Sequence, residues 1–261
     1  MKCAVLISLY NAGKTLDRTF ESLKAQTLQD FKIIALNDHS NDNTPKLLEE
    51  WQSVFGEDRF TLINNETNIG LTKSLNKGLS LIQEAYTARI DADDWWHPEK
   101  LEKQITFLEH YPNHGIIGCN YINVANNREK RVVLPETDEA IKKDMLRHNP
   151  FAHSSVVFRT DIVRNRGGYD ESIRYGQDYE LWLRCSLETK FHNIQEFLCF
   201  RNAESGISFT RQNEQMLQCL KTQIRYIKKL RRSPFEYRFL LEPLVVILTP
   251  AFIRNLKRRF L

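Results

Sequence analysis

Short apolar runs alternate with helically spaced apolar positions through the first third of this chain, and the fourth run ends in three carboxylates crowded into four positions. Ala4 to Leu9 is a continuous apolar run, followed at helical spacing by Leu16, Phe20 and Leu23. Phe31 to Leu36 predicts a second strand ending at Asn37-Asp38-His39-Ser40. Thr44-Pro45 then has the form of an N-cap with proline at the first helical position, opening a helix that turns Leu47, Leu48, Trp51 and Phe55 inward. Phe60 to Ile63 predicts a third strand, Asn68-Ile69-Gly70 a turn, and Leu71, Leu75, Leu79 and Ile82 one face of a third helix. Repeated units of this kind build a mostly parallel sheet flanked by helices, an α/β fold in which ligands collect at the carboxyl ends of strands.

The fourth strand, Tyr86 to Ile90, delivers the cluster Asp91-Ala92-Asp93-Asp94-Trp95-Trp96 to such an end. Successive side chains of an extended segment point to opposite faces, so Asp91 and Asp93 are expected to share a direction while Asp94 turns aside. Like charges at this spacing repel, and an oxygen-loving divalent cation, Mg²⁺ or Mn²⁺, is the partner that relieves them. Such ions are held by one or two carboxylates, with waters and phosphate oxygens completing the shell, so a phosphorylated ligand is implied. A solvated acidic turn capping the helix that Pro98 starts is the alternative for the cluster taken alone.

Beyond it, Leu101, Ile105 and Leu108 mark a helix, Gly115 to Val124 a strand, Asn126 to Asn149 a loop plus helix, Ser154 to Phe158 a strand, and Asp178 to Ser186 a helix burying Leu181, Trp182 and Cys185. With 261 residues, 41% of them hydrophobic and 27% charged, the chain suits one large α/β domain with a small appendage. The five cysteines lack C-x-x-C spacing and are expected as reduced, mostly buried thiols. The opening apolar segment is too short for a signal peptide, which predicts a cytoplasmic protein.

The last forty or so residues differ in charge: from Lys221 to Leu261 there are eleven Lys or Arg against two Glu. Within them Phe239 to Ile253 is strongly apolar, shorter than the ~20 residues of a spanning helix, and interrupted by Glu242, Pro243 and Pro250. Flanked by Arg231, Arg232, Arg238, Arg254, Lys257, Arg258 and Arg259, it is expected to lie on an anionic membrane surface, a partner-binding helix being the other reading. An aliphatic run without interleaved aromatic platforms argues against nucleic acid as a partner.

Ile7-Ser8-Leu9-Tyr10-Asn11, Ala25-Gln26-Thr27, Asn37-Asp38-His39-Ser40, Asn68-x-Gly70, the D-A-D-D cluster, Gly167-Gly168-Tyr169 and Gln177-Asp178-Tyr179-Glu180-Leu181-Trp182-Leu183-Arg184 occur in the order of the motifs of glycosyltransferase family 2, which this chain resembles over about residues 3 to 200. The resemblance implies a GT-A fold, Rossmann-like, with a catalytic domain over 1–210 (nucleotide-sugar half about 1–96, acceptor half about 97–210) and a helical basic tail over 211–261. It implies transfer of a sugar from a nucleotide-diphospho-sugar, a UDP-sugar favoured, with inversion at the anomeric carbon. By position it assigns Ser8 and Tyr10 to the nucleotide pocket, Asp38 to the base through a uracil ring N–H, Lys73 to the diphosphate, and Asp178 to the catalytic base. Within the cluster it sets Asp91 toward the ribose, Asp93 on the metal and Asp94, beside Ala92, near the donor sugar. Asn37, His39 and Gln177 stand where the family has Asp, Gly and Glu. The Q-x-x-R-W motif and spanning helices of processive members are missing, which favours addition of a single sugar.

His153, Trp95, Trp96 and Gln177 are the acceptor-side candidates, His153 just before a strand and the tryptophans as platforms for sugar faces. A lipid-linked oligosaccharide, extended at the cytoplasmic face of a membrane during surface-polysaccharide synthesis, is the expected acceptor. A non-catalytic nucleotide-sugar sensor or scaffold of the same fold is the alternative.

Overall fold

A computed structural model of the chain describes residues 1–204, 212–230 and 234–249. Its first half follows the alternation in the sequence: β1 (Cys3–Leu9), α1 (Leu16–Lys24), β2 (Phe31–Asn37), α2 (Thr44–Phe55), β3 (Phe60–Asn64), α3 (Leu71–Leu81) and β4 (Tyr86–Arg89). After β5 (Trp95–Trp96) come α4 (Lys100–His110), β6 (His114–Ala125), β7 (Arg128–Val132), α5 (Asp138–Asp144), a 3-10 turn (His153–Ser155), β8 (Val157–Arg159), α6 (Thr160–Asn165), α7 (Gln177–Cys185) and β9 (Lys190–Asn202). Two further helices, α8 (Gln212–Lys229) and α9 (Leu241–Leu248), follow, with a 3-10 helix (Pro234–Leu240) before the second.

The strands form one sheet in the order β3-β2-β1-β4-β8-β6-β9-β5, with β7 paired to β6 outside that path. Its first four strands are parallel. Antiparallel β8 then joins β4 to β6, and β6 runs parallel to β9. This is the mostly parallel, helix-flanked α/β sheet expected.

Strand periodicity explains why the apolar runs are continuous. Cys3, Val5, Ile7 and Leu9 enter one core with Phe31, Ile33 and Ala35, while Ala4 and Leu6 enter the other with Ile34 and Leu36. A strand covered on both faces has no solvent side to make polar. On the first face α1, α2 and α4 bury Leu16, Phe20, Leu23, Leu48, Trp51, Leu101, Ile105 and Leu108. Phe20, stacked on Trp51 with centroids 5.6 Å apart, anchors that layer, and burying one such ring contributes about 1.5–3 kcal/mol. The second face carries α3, α5, α6, α7 and α8, through Leu75, Leu79, Ile141, Met145, Val163, Leu181, Trp182 and Tyr226. Gly78 lets α3 approach closely, since a Cβ there would meet Leu6 Cδ1 at 2.4 Å and Leu36 Cδ1 at 2.6 Å.

Several local expectations change. Thr44 is the first helical residue of α2, not its cap; its hydroxyl instead accepts from the Ala12 N–H at 2.8 Å, and its own N–H goes to Asp42 Oδ1 at 2.9 Å. Pro98 precedes α4 by two residues, where its carbonyl accepts from the Thr27 N–H at 2.9 Å. Ser154 and Ser155 form the 3-10 turn ahead of β8 instead of its first residues. The stretch after Asn126 contains β7, an exposed edge strand too polar to signal itself. Four of the five cysteines are buried and Cys219 is half-buried.

No described helix is long and apolar enough to cross a membrane. Among the tail cations, Arg238 is exposed, while Arg231, Arg232, Arg254, Lys257, Arg258 and Arg259 lie outside the described residues, as do residues 250–253 of the apolar segment. α9 carries Leu241, Val245 and Leu248 exposed. The first helix of the expected tail belongs to the core instead of hanging from it: Tyr226 and Ile227 of α8 are buried against the α7 layer.

Candidate active site

The parallel strands end together, and their loops are clasped before any ligand arrives. The Asp38 N–H donates to the Leu9 carbonyl at 2.8 Å, the Asn11 N–H to Ser40 Oγ at 3.0 Å, and the Gly13 N–H to Asp42 Oδ2 at 3.0 Å. Ser8 is half-buried here and Tyr10 is 53% exposed. Lys73, in the first turn of α3, is exposed. His39 holds φ +61°, a left-handed conformation that favours glycine.

Asp38 is tied into the fold. It is 2% exposed, and its carboxylate accepts from the Ile69 N–H (2.9 Å), the Gly70 N–H (2.8 Å) and Asn65 Nδ2 (2.9 Å). Three donors on an enclosed carboxylate make it the tie that holds the Asn68–Gly70 turn at the start of α3.

The acidic loop is gripped from several elements. Thr15 and Thr19 of α1 donate their hydroxyls to the Ala92 carbonyl at 2.9 and 3.1 Å, and Thr19 also reaches the Asp94 carbonyl at 2.8 Å. Ser154 Oγ accepts from the Asp91 N–H at 3.0 Å and donates to Asp91 Oδ2 at 3.1 Å. Arg89, wholly buried, pairs with Asp91 Oδ1. Burial would raise the Asp91 carboxyl, but the charge of Arg89 leads a set of opposing influences that holds it at about 2.

Its neighbours behave oppositely. Burial first, and the Asp91 charge second, push Asp93 up to about 6; burial, Asp91 and Asp93 push Asp94 up to about 7. Asp94 is 3% exposed, its Oδ1 accepts from the Asn202 N–H at 2.8 Å, and its Oδ2 lies 4.0 Å from Arg201 Nε. It therefore fastens the end of β9. Asp93 is half-buried, and among the described residues no cation pairs with it. Among the described residues no three His, Cys, Asp or Glu side chains converge as a complete metal cage. A half-accessible carboxylate raised by a like charge fits an ion that draws its other oxygens from water and phosphate.

The tryptophans separate. Trp96 is 2% exposed, donates its indole N–H to the Ser154 carbonyl at 2.7 Å and has Lys100 Nζ 3.9 Å from its ring centroid, so it is packing and not a sugar platform. Trp95 stacks on Phe200 (5.4 Å between centroids, 4° between planes) and carries Arg18 at 3.6 Å over its ring. Gln177 is buried in the first turn of α7.

Asp178 follows it in the turn opened by Gly176, whose φ of +71° requires glycine. Its Oδ2 accepts from Asn149 Nδ2 at 2.8 Å. His153 Nε2 lies 2.9 Å from Tyr169 Oη, and burial with the Arg89 charge pushes its imidazole down to about 4 against the pull of Asp178 and Asp91. Asp178 and Asp91, distant in sequence, thus act on one ring. Arg89, Arg201, Ser154, Asn149 and Tyr169 are the participants that spacing alone did not reveal. Of these Tyr169 stood in a motif, Arg89 in the strand that delivers the acidic cluster, and Asn149 and Ser154 in the segment around His153; Arg201 alone had no signal.

The model of the family described as glycosyl transferase family 2 matches residues 4–171. The putative glycosyltransferase EpsE of Bacillus subtilis is 29% identical over 262 residues, 97% of this chain and 92% of its own. The amylovoran biosynthesis glycosyltransferase AmsE of Erwinia amylovora is 35% identical over 185 residues, 69% of this chain and 68% of its own. Among solved structures, S. aureus TarS 1–349 in complex with UDP-GlcNAc superposes with a TM-score of 0.69 at 17% identity, covering 85% of this chain and 66% of that one. The mannosyltransferase PcManGT of Pyrobaculum calidifontis, in complex with GDP-Man and Mn²⁺, gives 0.69 at 16% identity over 94% and 69%. With the GT-A sheet and this match over well more than half its length, the chain belongs to glycosyl transferase family 2 and is a glycosyltransferase.

Proposed function

We propose that the protein transfers one sugar from a nucleotide-diphospho-sugar, a UDP-sugar by preference, to a hydroxyl of an acceptor glycan, inverting the anomeric carbon, in the synthesis of a surface polysaccharide. The observation that carries this reading is that the segment Asn149 to Ser154 bonds Asp178 at one end and Asp91 at the other, with the charges of both acting on the His153 ring between them. Ser8, Tyr10 and Lys73 line the donor side. Asp93, with Asp91 alongside, would hold Mn²⁺ or Mg²⁺, which offsets the charge of the departing diphosphate. Asp178 accepts the acceptor hydroxyl's proton as that oxygen bonds to the anomeric carbon, and the bond from that carbon to the diphosphate oxygen breaks with its electron pair leaving on the diphosphate. Asn149 holds the Asp178 carboxylate in place for that transfer.

The named role of AmsE in amylovoran biosynthesis and the nucleotide sugars bound by TarS and PcManGT support the polysaccharide and donor classes. The exposed apolar side chains of α9 support an acceptor met at a membrane, a lipid-linked oligosaccharide at its cytoplasmic face.

Thermal shift with a panel of UDP- and GDP-sugars, with and without Mn²⁺, tests the donor, because a ligand held by the folded state alone raises its melting temperature. Asp178→Asn should keep the Mn²⁺-dependent shift and lose transfer by at least a hundredfold, whereas Asp93→Ala should lose both. Full transfer by either variant would remove that residue from its role.

A further inference from the structure

A cavity of about 360 Å³ opens between the β6–β7 hairpin and α5, and nothing in the donor site uses it. We propose that it is the acceptor subsite, and that it takes a single pyranose ring with its hydroxyl-bearing edge toward Asp178. This deepens the transferase reading and rests on it.

Position is the first argument. Asn149 lines the cavity and donates to Asp178 Oδ2 at 2.8 Å, while its own Oδ1 accepts from the Phe151 N–H at 3.3 Å, which fixes the orientation of the amide. A ring lodged against Asn149 is therefore beside the carboxylate that takes its proton. On the opposite side Tyr121 lines the same cavity and carries Arg201 5.2 Å over its ring, and Arg201 is the cation beside Asp94. The cavity thus borders the residue bonded to Asp178, and is linked to the acidic loop through Tyr121 and Arg201.

Its lining is the second argument. Val133, Leu134 and Met145 are apolar, and Asp144, His148 and Asn149 supply polar groups. A pyranose has the matching asymmetry, with C–H groups on its face and hydroxyls at its edge. A hydrocarbon chain would set apolar carbon against the Asp144 carboxylate, and a planar base would find the Tyr121 ring already covered by a guanidinium. The volume lies at the low end of the roughly 300–1,000 Å³ of small-molecule sites, in keeping with one sugar unit. Val133 is 66% exposed, an apolar side chain left at the rim where a sugar face would cover it.

The test is saturation-transfer NMR, without donor, using octyl β-D-glucopyranoside, octyl β-D-galactopyranoside and octyl N-acetyl-β-D-glucosaminide, read on the sugar-ring protons. Wild-type protein should saturate the ring protons of at least one glycoside, Val133→Trp should weaken its Kd at least tenfold, and Asn149→Ala at least threefold. Absence of ring saturation for all three with wild-type protein overturns the proposal, as does an unchanged Kd in Val133→Trp. Should Val133→Trp fail to fold by circular dichroism, an unchanged Kd in Asn149→Ala overturns it alone. Donor binding is read separately by the melting shift of wild-type protein, so failure of the glycoside arm leaves the donor reading standing, and the reverse.

Discussion

Single residues in this site are set against one another by their surroundings. Three carboxylates within four positions end with different affinities for a proton: Asp91 held at about 2 beside Arg89, Asp93 at about 6, and Asp94 at about 7 under burial and like charge. Divergence of this kind is a mark of functional sites. His153 gives a prediction that can be isolated. Its folded form resists protonation down to about 4, while the unfolded imidazole titrates near its usual 6.5, so the unfolded chain binds more protons between those values. The stabilisation it supplies is complete above about pH 6.5 and is lost as the pH falls toward 4. His153→Gln should therefore flatten the acid side of the melting-temperature profile, and the advantage of wild type over the variant should narrow from pH 7 to pH 4.5. A difference independent of pH would show that the imidazole is not shielded as described.

Among the elements, α8 and α7, the helix that carries Asp178, are locked together. Tyr226 Oη donates to Glu180 Oε1 at 2.6 Å, Arg184 Nη2 closes on Glu180 Oε2 at 2.9 Å, and Arg184 continues to the Gly168 carbonyl at 2.7 Å. Gln223 Nε2 adds a bond to the Leu146 carbonyl at 2.8 Å. Tyr226→Phe removes a donor to a buried carboxylate and should cost about 1.5–3 kcal/mol, read as a lower melting temperature with the fold retained. The parallel half of the sheet was legible because buried strands leave unbroken apolar runs and helices repeat every three or four residues. β9 was not, for KFHNIQEFLCFRN mixes polar and apolar residues without alternation and its register against β6 shifts at irregular points. β5 is two residues long and exists only through its pairing with β9. Consequently Arg201 and Asn202, brought to the acidic loop by that strand, had no signal in the sequence, whereas Asp91, Asp93 and Asp178 stood in motifs. Trp96 shows the limit of a motif: it locates a residue but not the direction its side chain takes.

At the scale of the molecule, a catalytic α/β body carries a basic, apolar end. Leu241, Val245 and Leu248 recur at helical spacing on α9 and are exposed, with Arg238 exposed just before them. Deleting residues 235–261 should release the protein from liposomes containing phosphatidylglycerol while leaving the nucleotide-sugar melting shift intact; unchanged co-flotation would refute membrane docking by this segment. The hydroxyls of Thr15 and Thr19, bonded to carbonyls beneath Asp93, have a consequence for how such an enzyme meets its donor. Because α1 already immobilises the chain there, the proposed donor would encounter a finished cradle, and the free energy of contact would go into affinity instead of into freezing a floppy segment.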